Sequence, residues 1–208
     1  MSQKTDGLHG ILSAPAMYDL LQSAVGAGRS RRRLVHDHIR AKPGDVVLDI
    51  GCGTGELLPF LPEGVDYHGF DLSQAYIDAA RRRYRGRGTF ECMDIADYRP
   101  PEGSPAADIV LSIGVLHHLD DDVAIKLLRT AHAQLRPGGR FVSIDGTLVP
   151  GQPAIARRLV LQDRGQNIRT PEGYAALARK AFDMVEPLVR TDMLRIPYTH
   201  CILECVRS

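Results

Sequence analysis

The sequence predicts an α/β fold: a mostly parallel sheet with helices on both faces and an antiparallel hairpin at its C-terminal end. Three observations predict it. Short apolar runs alternate with helix-compatible stretches from about residue 45 onward. The first of these runs, Val46-Val47-Leu48-Asp49-Ile50, leads straight into a glycine-rich turn. Two further apolar runs close the chain with no helix between them, and such close neighbours must run antiparallel.

The elements follow in order. Strands are assigned to residues 46–50, ending at Gly51; 65–70, ending at Asp71; 89–92, before Asp94; 109–113; and 140–144, opened by the turn Pro137-Gly138-Gly139. The hairpin takes residues 184–190 and 198–206, with Pro197 between them. Ser73 is the N-cap of a helix over 74–84. Asp120, Asp121 and Asp122 crowd the start of a helix to about residue 135, where negative charge suits the helix dipole. That helix stops at Arg136-Pro137-Gly138-Gly139. Thr170-Pro171-Glu172 reads as an N-cap, a first-turn proline and an acidic residue, opening a helix to about residue 182. Residues 1–40 look helical and lie outside the β/α pattern, as a cap. Residues 149–169 are too many for a simple connection and are read as a helical insertion. The 208 residues are thus expected to form one domain.

Composition narrows the function classes. A chain of this length buries a good core without disulfides or metals. The net charge of +1 gives no global pull toward nucleic acid or an anionic membrane. Cys52, Cys92, Cys201 and Cys205 form no CxxC pair and no zinc-ligand spacing, so no metal is expected, and they are read as buried apolar thiols in a reducing compartment. The N-terminus lacks a signal-peptide layout, and no apolar run approaches the roughly 20 residues that span a bilayer. The expected location is cytoplasmic.

The most informative stretch runs from Val46 to Glu56. A buried strand enters a turn with Gly51, Gly53 and Gly55, whose glycines permit positive φ and close approach to a ligand, and a helix is expected to follow with free N–H groups at its start. A dinucleotide loop would read GxGxxG, and here the third glycine position holds Glu56, electrostatically wrong beside a pyrophosphate. Asp49, two residues ahead of the first glycine, instead suits a ligand bearing positive charge. Asp71 lies 22 residues after Asp49, where a carboxylate accepts both hydroxyls of a ribose. Asp94, at the end of the third strand, suits an adenine amino group. Each aspartate has the alternative of capping a following helix.

Four motifs in order carry a family resemblance: Asp49-Ile-Gly-Cys-Gly-Thr-Gly55, Gly69-Phe-Asp-Leu-Ser73, Asp108-Ile-Val-Leu-Ser-Ile-Gly-Val-Leu-His-His-Leu119, and Leu135-Arg-Pro-Gly-Gly-Arg140. Together they resemble the class I S-adenosylmethionine (SAM)-dependent methyltransferases over about residues 40 to 147. They are most similar to the small-molecule branch that includes ubiquinone and menaquinone C-methyltransferases. The resemblance implies a Rossmann-like sheet of seven strands with an antiparallel last strand. It implies SAM as cofactor, S-adenosylhomocysteine as its product, and a cofactor site at Asp49, Gly51, Gly53, Asp71, Leu72, Asp94 and Ile95. It also implies that the backbone near Ser112 and Ile113 holds the methionine ammonium.

Ligands of open α/β sheets bind outside the carboxyl ends of the strands. The small-molecule acceptor is therefore expected near Tyr18, Asp145, Gln152, Asp163, Arg164, Arg169, Tyr198 and His200. His117 and His118 follow strand four and are the candidate general bases, with a structural role around the cofactor as the alternative. Arg164 and Arg169 suit a carboxylate or phosphate of the acceptor, or an internal pair with Asp163. The runs at 31–33 and 81–87 read as solvated faces rather than nucleic-acid patches. An RNA- or protein-modifying methyltransferase is the runner-up. It is disfavoured because Ile113-Gly114-Val115-Leu116 stands where an Asn/Asp-Pro-Pro-Tyr/Phe segment belongs. A non-catalytic SAM-binding protein is a third reading. The oligomeric state and the methylated atom (O, N or C) stay open.

Overall fold

A computed structural model describes residues 26–163 and 165–208. Seven strands form one sheet in the order β3-β2-β1-β4-β5-β7-β6. They are β1 (Val46–Ile50), β2 (Asp66–Asp71), β3 (Thr89–Cys92), β4 (Ala107–Ile113), β5 (Leu135–Gly146), β6 (Met184–Arg190) and β7 (His200–Val206). β1 to β5 pair in parallel, whereas β7 is antiparallel to both β5 and β6. Among the described residues five α-helices accompany them: α1 (Ala27–Arg33), continued by a π-helical stretch over Leu34–Ile39, α2 (Gln74–Arg83), α3 (Asp121–Gln134), α4 (Ala154–Leu161) and α5 (Pro171–Ala178).

The sheet buries both faces, as a parallel sheet must. On one face Ala124, Leu128 and Ala131 of α3 and Tyr174 and Ala175 of α5 pack on Leu48, Val110 and Phe141. Cys201 and Cys205, four residues apart on β7, join that core together. On the other face Leu34 and Ile39 of the π-helical stretch and Ile77 and Ala80 of α2 cover Val47, Ile109 and Val142. Residues 33–40 are also tied down by charge. Arg33 donates to Asp192 at 2.5 Å, and buried His38 bridges Glu204 (2.8 Å) and Arg190 (3.0 Å).

The caps hold as the side chains require. Ser73, Asp120 and Thr170 each accept from the backbone N–H three residues on, at Tyr76, Val123 and Gly173. Three expectations need correction. No α-helix follows the glycine turn, only a 3-10 turn over Leu58–Phe60, because Pro59 and Pro62 interrupt the run of backbone donors that a helix needs. α5 stops at Ala178 rather than near residue 182, where a tight turn drives Phe182 into the core. The Pro137 turn does not precede the fifth strand but lies within β5, as an irregularity between the pairs Ala107–Leu135 and Ile109–Arg140. The thiols also differ from expectation: Cys52 is half-buried and Cys92 exposed.

Candidate active site

The strand order reverses direction between β1 and β4, the place where open α/β sheets bind ligands, outside the carboxyl ends of the strands. The first wall is the glycine loop. Gly51 and Gly53 sit at φ +75° and +56°, a conformation that favours glycine. Gly51 N–H and Cys52 N–H both donate to Phe70 O, and Gly53 N–H donates to Asp71 Oδ2 at 2.9 Å. A Cβ on Gly51 would strike Val115, yet one on Gly53 would meet nothing within 4 Å, so the loop has open space above it. Glu56, which breaks the dinucleotide pattern, pairs with Arg31 of α1. The loop is thereby stitched to residues that precede the sheet.

Asp71 closes β2 half-buried, with Oδ1 accepting from Ser73 N–H at 2.8 Å. Leu72 beside it is 77% exposed, an unusual state for an apolar side chain at a crevice. Asp94 caps the 3-10 turn Ile95–Asp97 by accepting from Ala96 N–H at 2.9 Å, so the capping alternative is realised there, and Ile95 is buried behind it. Three buried polar atoms near the carboxyl ends of β1, β4 and β5 find no hydrogen-bond partner among the described residues: Asp49 Oδ1, Ser112 Oγ and Asp145 Oδ2. Burial lifts the Asp49 carboxyl to about 6, a hydrogen bond from Tyr67 opposes the lift, and nearby Asp71 adds to it.

This set fits SAM. The open glycine loop admits a bulky ligand, and the Asp71 carboxylate suits its ribose. The orphaned Asp49 oxygen suits its ammonium. Directly after the loop the chain forms a 3-10 turn and not the α-helix whose N-terminus holds a pyrophosphate in dinucleotide sites.

The second wall lies beyond β4 and β5. His117 sits in a 3-10 turn over Leu116–His118, nearly enclosed. Its Nδ1 lies 2.8 Å from Asp145 Oδ1, and its backbone N–H donates to the same oxygen at 3.2 Å. Nε2 faces Asp163 Oδ1 at 3.9 Å. Desolvation works against the imidazolium, but the Asp145 hydrogen bond and the charges of Asp145 and Asp163 outweigh it and hold His117 above its ordinary value. The Tyr198 hydroxyl donates to Asp163 Oδ2 at 2.5 Å, and its ring lies 4.7 Å from that of His200. Burial lowers His200 to about 4, so it is neutral, and its Nδ1 finds no partner among the described residues.

The insertion covers this wall. Asn167 N–H donates to His117 O at 2.9 Å, and Gly165 lies so close that a Cβ there would sit 2.1 Å from His117 Cδ2. Arg169 requires correction. Its guanidinium donates five times within the protein: to Asp121 Oδ1 through Nε and Nη2, to Leu116 O and Asn167 O through Nη1, and to Leu119 O through Nη2. A guanidinium has five N–H groups, so none is left to grip an acceptor. Arg169 pins the His117 turn instead. His118 is exposed, its ring tilted against that of His117 with centroids 4.1 Å apart. Tyr18 and Arg164 lie outside the described residues. Gln152 Nε2 donates to Thr147 O and Thr199 Oγ1, while its buried Oε1 finds no partner among the described residues.

Sequence reasoning missed Tyr67, whose buried hydroxyl donates to Asp49 Oδ2 at 2.7 Å. It also missed Gly165. Alternation along β2 puts Tyr67 on the Asp49 face, a signal that pairing the two strands would have exposed.

The comparisons agree with this geometry. Residues 48–141 match the model of a methyltransferase domain family. Phosphoethanolamine N-methyltransferase of Triticum aestivum is 31% identical over 162 residues, 75% of this chain and 31% of that protein. The 27-O-demethylrifamycin SV methyltransferase of Amycolatopsis mediterranei is 34% identical over 116 residues, 52% of this chain and 41% of that protein. Human N-acetylserotonin methyltransferase in complex with SAM shares the fold, with a TM-score of 0.68 at 20% identity over 93% of this chain and 55% of that chain. The chain spans about a third of the length of the phosphoethanolamine methyltransferases it matches. Residues 48–141 are thus similar to methyltransferase domains, and the sheet shares the fold of solved SAM-dependent methyltransferases. None of the three carries a quinone-biosynthesis name, and that branch stays an expectation. Among the described residues no helix is long and apolar enough to cross a membrane.

Proposed function

We propose that this chain transfers the methyl group of SAM to an oxygen or nitrogen of a small-molecule acceptor, with His117 as general base. The observation that carries the reading is the His117–Asp145 pair at the carboxyl ends of β4 and β5, with Nδ1 held and Nε2 facing outward to Asp163. The relatives named for phosphoethanolamine and for a rifamycin support a small acceptor and cover both atom types.

The cofactor supplies a methyl carbon already activated by its sulfonium. The chain's own residues do the rest. Asp49, Gly51, Gly53, Asp71, Leu72 and Ile95 hold the cofactor, together with the backbone at Ser112 and Ile113. Asp94 contributes from its cap position. His117 Nε2 takes the proton from the acceptor hydroxyl or amine as the new bond to carbon forms, and Asp145 stabilises the resulting imidazolium. Tyr198 and neutral His200 line the acceptor side. Gly165 and Asn167 exclude water over His117, and alignment of nucleophile and methyl supplies much of the rate. Oxygen and nitrogen acceptors are favoured over carbon because both present a proton for the base to remove.

The test is incubation with radiolabelled SAM and a panel of phenols, alcohols and amines, for the wild type and His117→Ala. Labelled product with the wild type, lost in the variant while S-adenosylhomocysteine still binds, is the expected result. Equal labelling by both proteins would refute the base assignment.

A further inference from the structure

Tyr67 is among the largest fully buried side chains, and its hydroxyl is committed to a carboxylate. In the β1–β2 register Val47 pairs with Tyr67 and Asp49 with Gly69. Tyr67 and Asp49 therefore stand diagonally on one face of neighbouring strands. Gly69, opposite Asp49, has no side chain, and a Cβ there would lie 2.8 Å from Cys52 Sγ and 3.0 Å from Phe90 Cδ1. The Tyr67 ring is wedged in place. Its centroid lies 5.6 Å from that of Phe90, and a Cβ on Gly88 would lie 2.9 Å from Tyr67 Cδ1. A ring held this way aims its hydroxyl at Asp49 Oδ2 and nowhere else.

Asp49 is itself 2% exposed, and its second oxygen has no partner. A buried carboxylate with an empty acceptor is costly unless something completes it. The empty oxygen lies beneath the glycine loop, where a cationic donor completes it best.

We propose that Tyr67 is a positioning residue for cofactor binding: by holding Asp49 through Oδ2 it fixes the carboxylate so that Oδ1 receives the cofactor's ammonium. This rests on the reading of the glycine loop as the SAM site. The titratable groups facing Asp49 are Tyr67 and Asp71 of β2 and Cys52 of the loop, while β4 presents Leu111 as its paired neighbour. Burial raises Asp49 to about 6 and Tyr67 restrains that rise. Loss of the hydroxyl makes Asp49 harder to ionise, and a neutral Asp49 binds an ammonium poorly.

The test is calorimetric titration of S-adenosylhomocysteine into the full chain between pH 5.5 and 7.5, for the wild type, Tyr67→Phe and Asp49→Asn. In this window an α-amino group, with its value of about 7.7–8.0, stays largely charged. Wild-type affinity should fall as pH drops through about 6. In Tyr67→Phe the midpoint should rise by about one unit, so affinity at pH 6.5 drops several-fold and the gap narrows at pH 7.5. Identical profiles, or a loss equal at every pH, would overturn the proposal and leave Tyr67 as core filling. Asp49→Asn separates two failures. If it binds as tightly as wild type, the site reading itself fails. If it loses affinity and pH dependence while Tyr67→Phe keeps both, only the role of Tyr67 fails. Carbon-13 labelling of tyrosine gives a second readout that needs no variant. The Tyr67 Cζ resonance should follow the Asp49 titration and move to lower pH when S-adenosylhomocysteine binds. A resonance insensitive to both contradicts the proposal.

Discussion

His117 and Asp145 are joined twice, because one carboxylate oxygen accepts from the ring at 2.8 Å and from the backbone N–H at 3.2 Å. The double contact fixes both the turn and the imidazole it carries. A base held this way keeps Nδ1 protonated and leaves Nε2 to act.

Replacing His117 with Ala should lower kcat by about 10²–10⁴-fold while leaving S-adenosylhomocysteine affinity near wild type. Rate measurements beside calorimetry separate the two effects. A kcat unchanged by the substitution would remove His117 from the chemistry.

The pH profile follows from the same pair. A base works only when unprotonated, so the rate should rise with pH through the raised His117 value. Desolvation lowers that value and the Asp145 contact raises it, so Asp145→Asn should move the midpoint to lower pH and reduce the plateau rate. A midpoint that moves up, or stays fixed, contradicts the assignment.

Gly165 should tolerate no side chain. A Cβ at that position would lie 2.1 Å from the His117 ring and 2.9 Å from its carbonyl oxygen. Gly165→Ala should therefore cost about 1–3 kcal/mol of stability or lift the segment off His117. Limited proteolysis between residues 160 and 170 reads the second outcome. A variant that melts and digests like wild type would show that the segment does not bear on His117.

Arg169→Ala should lower the melting temperature, since it removes the side-chain donor to Leu119 O and leaves Leu116 O only the Leu119 N–H, and it should reduce kcat through the loosened His117 turn. If the loss appears instead as a raised KM confined to anionic acceptors, Arg169 grips substrate and its structural assignment is wrong.

Asp49 predicts an opposition between stability and binding. Its folded value of about 6 lies above the 3.8 of an ordinary aspartate, so stability is fully present below the lower value and is lost as pH rises through the upper one. Asp49→Asn should therefore stabilise the ligand-free protein at pH 7, by roughly 3 kcal/mol at most, and have little effect at pH 4. Melting curves at the two pH values check it. Destabilisation at pH 7 would mean the carboxylate is satisfied in a way the structure does not show.

Much of this architecture is legible in the sequence, and the parts that are not share a cause. Ser73, Asp120 and Thr170 cap helices because their role depends on residues within one turn. The seven strands and the antiparallel hairpin follow from local apolar periodicity and spacing. The missing helix after Gly55 was also written locally, in Pro59 and Pro62, but the glycine pattern outweighed it. Arg169, Gly165 and Tyr67 were not legible in the same way. Arg169 meets Asp121 across 48 residues and Tyr67 meets Asp49 across 18, so their roles exist only once the chain is folded. The pairing of His117 with Asp145 spans 28 residues, and the sequence offered both residues without joining them.

The most direct test of the account is a calorimetric titration of the purified chain with SAM, S-adenosylhomocysteine and NADH. The open glycine loop, the Asp71 carboxylate and the 3-10 turn that follows the loop in place of an α-helix predict binding of the first two and none of NADH. Binding of NADH without SAM or S-adenosylhomocysteine would contradict the account.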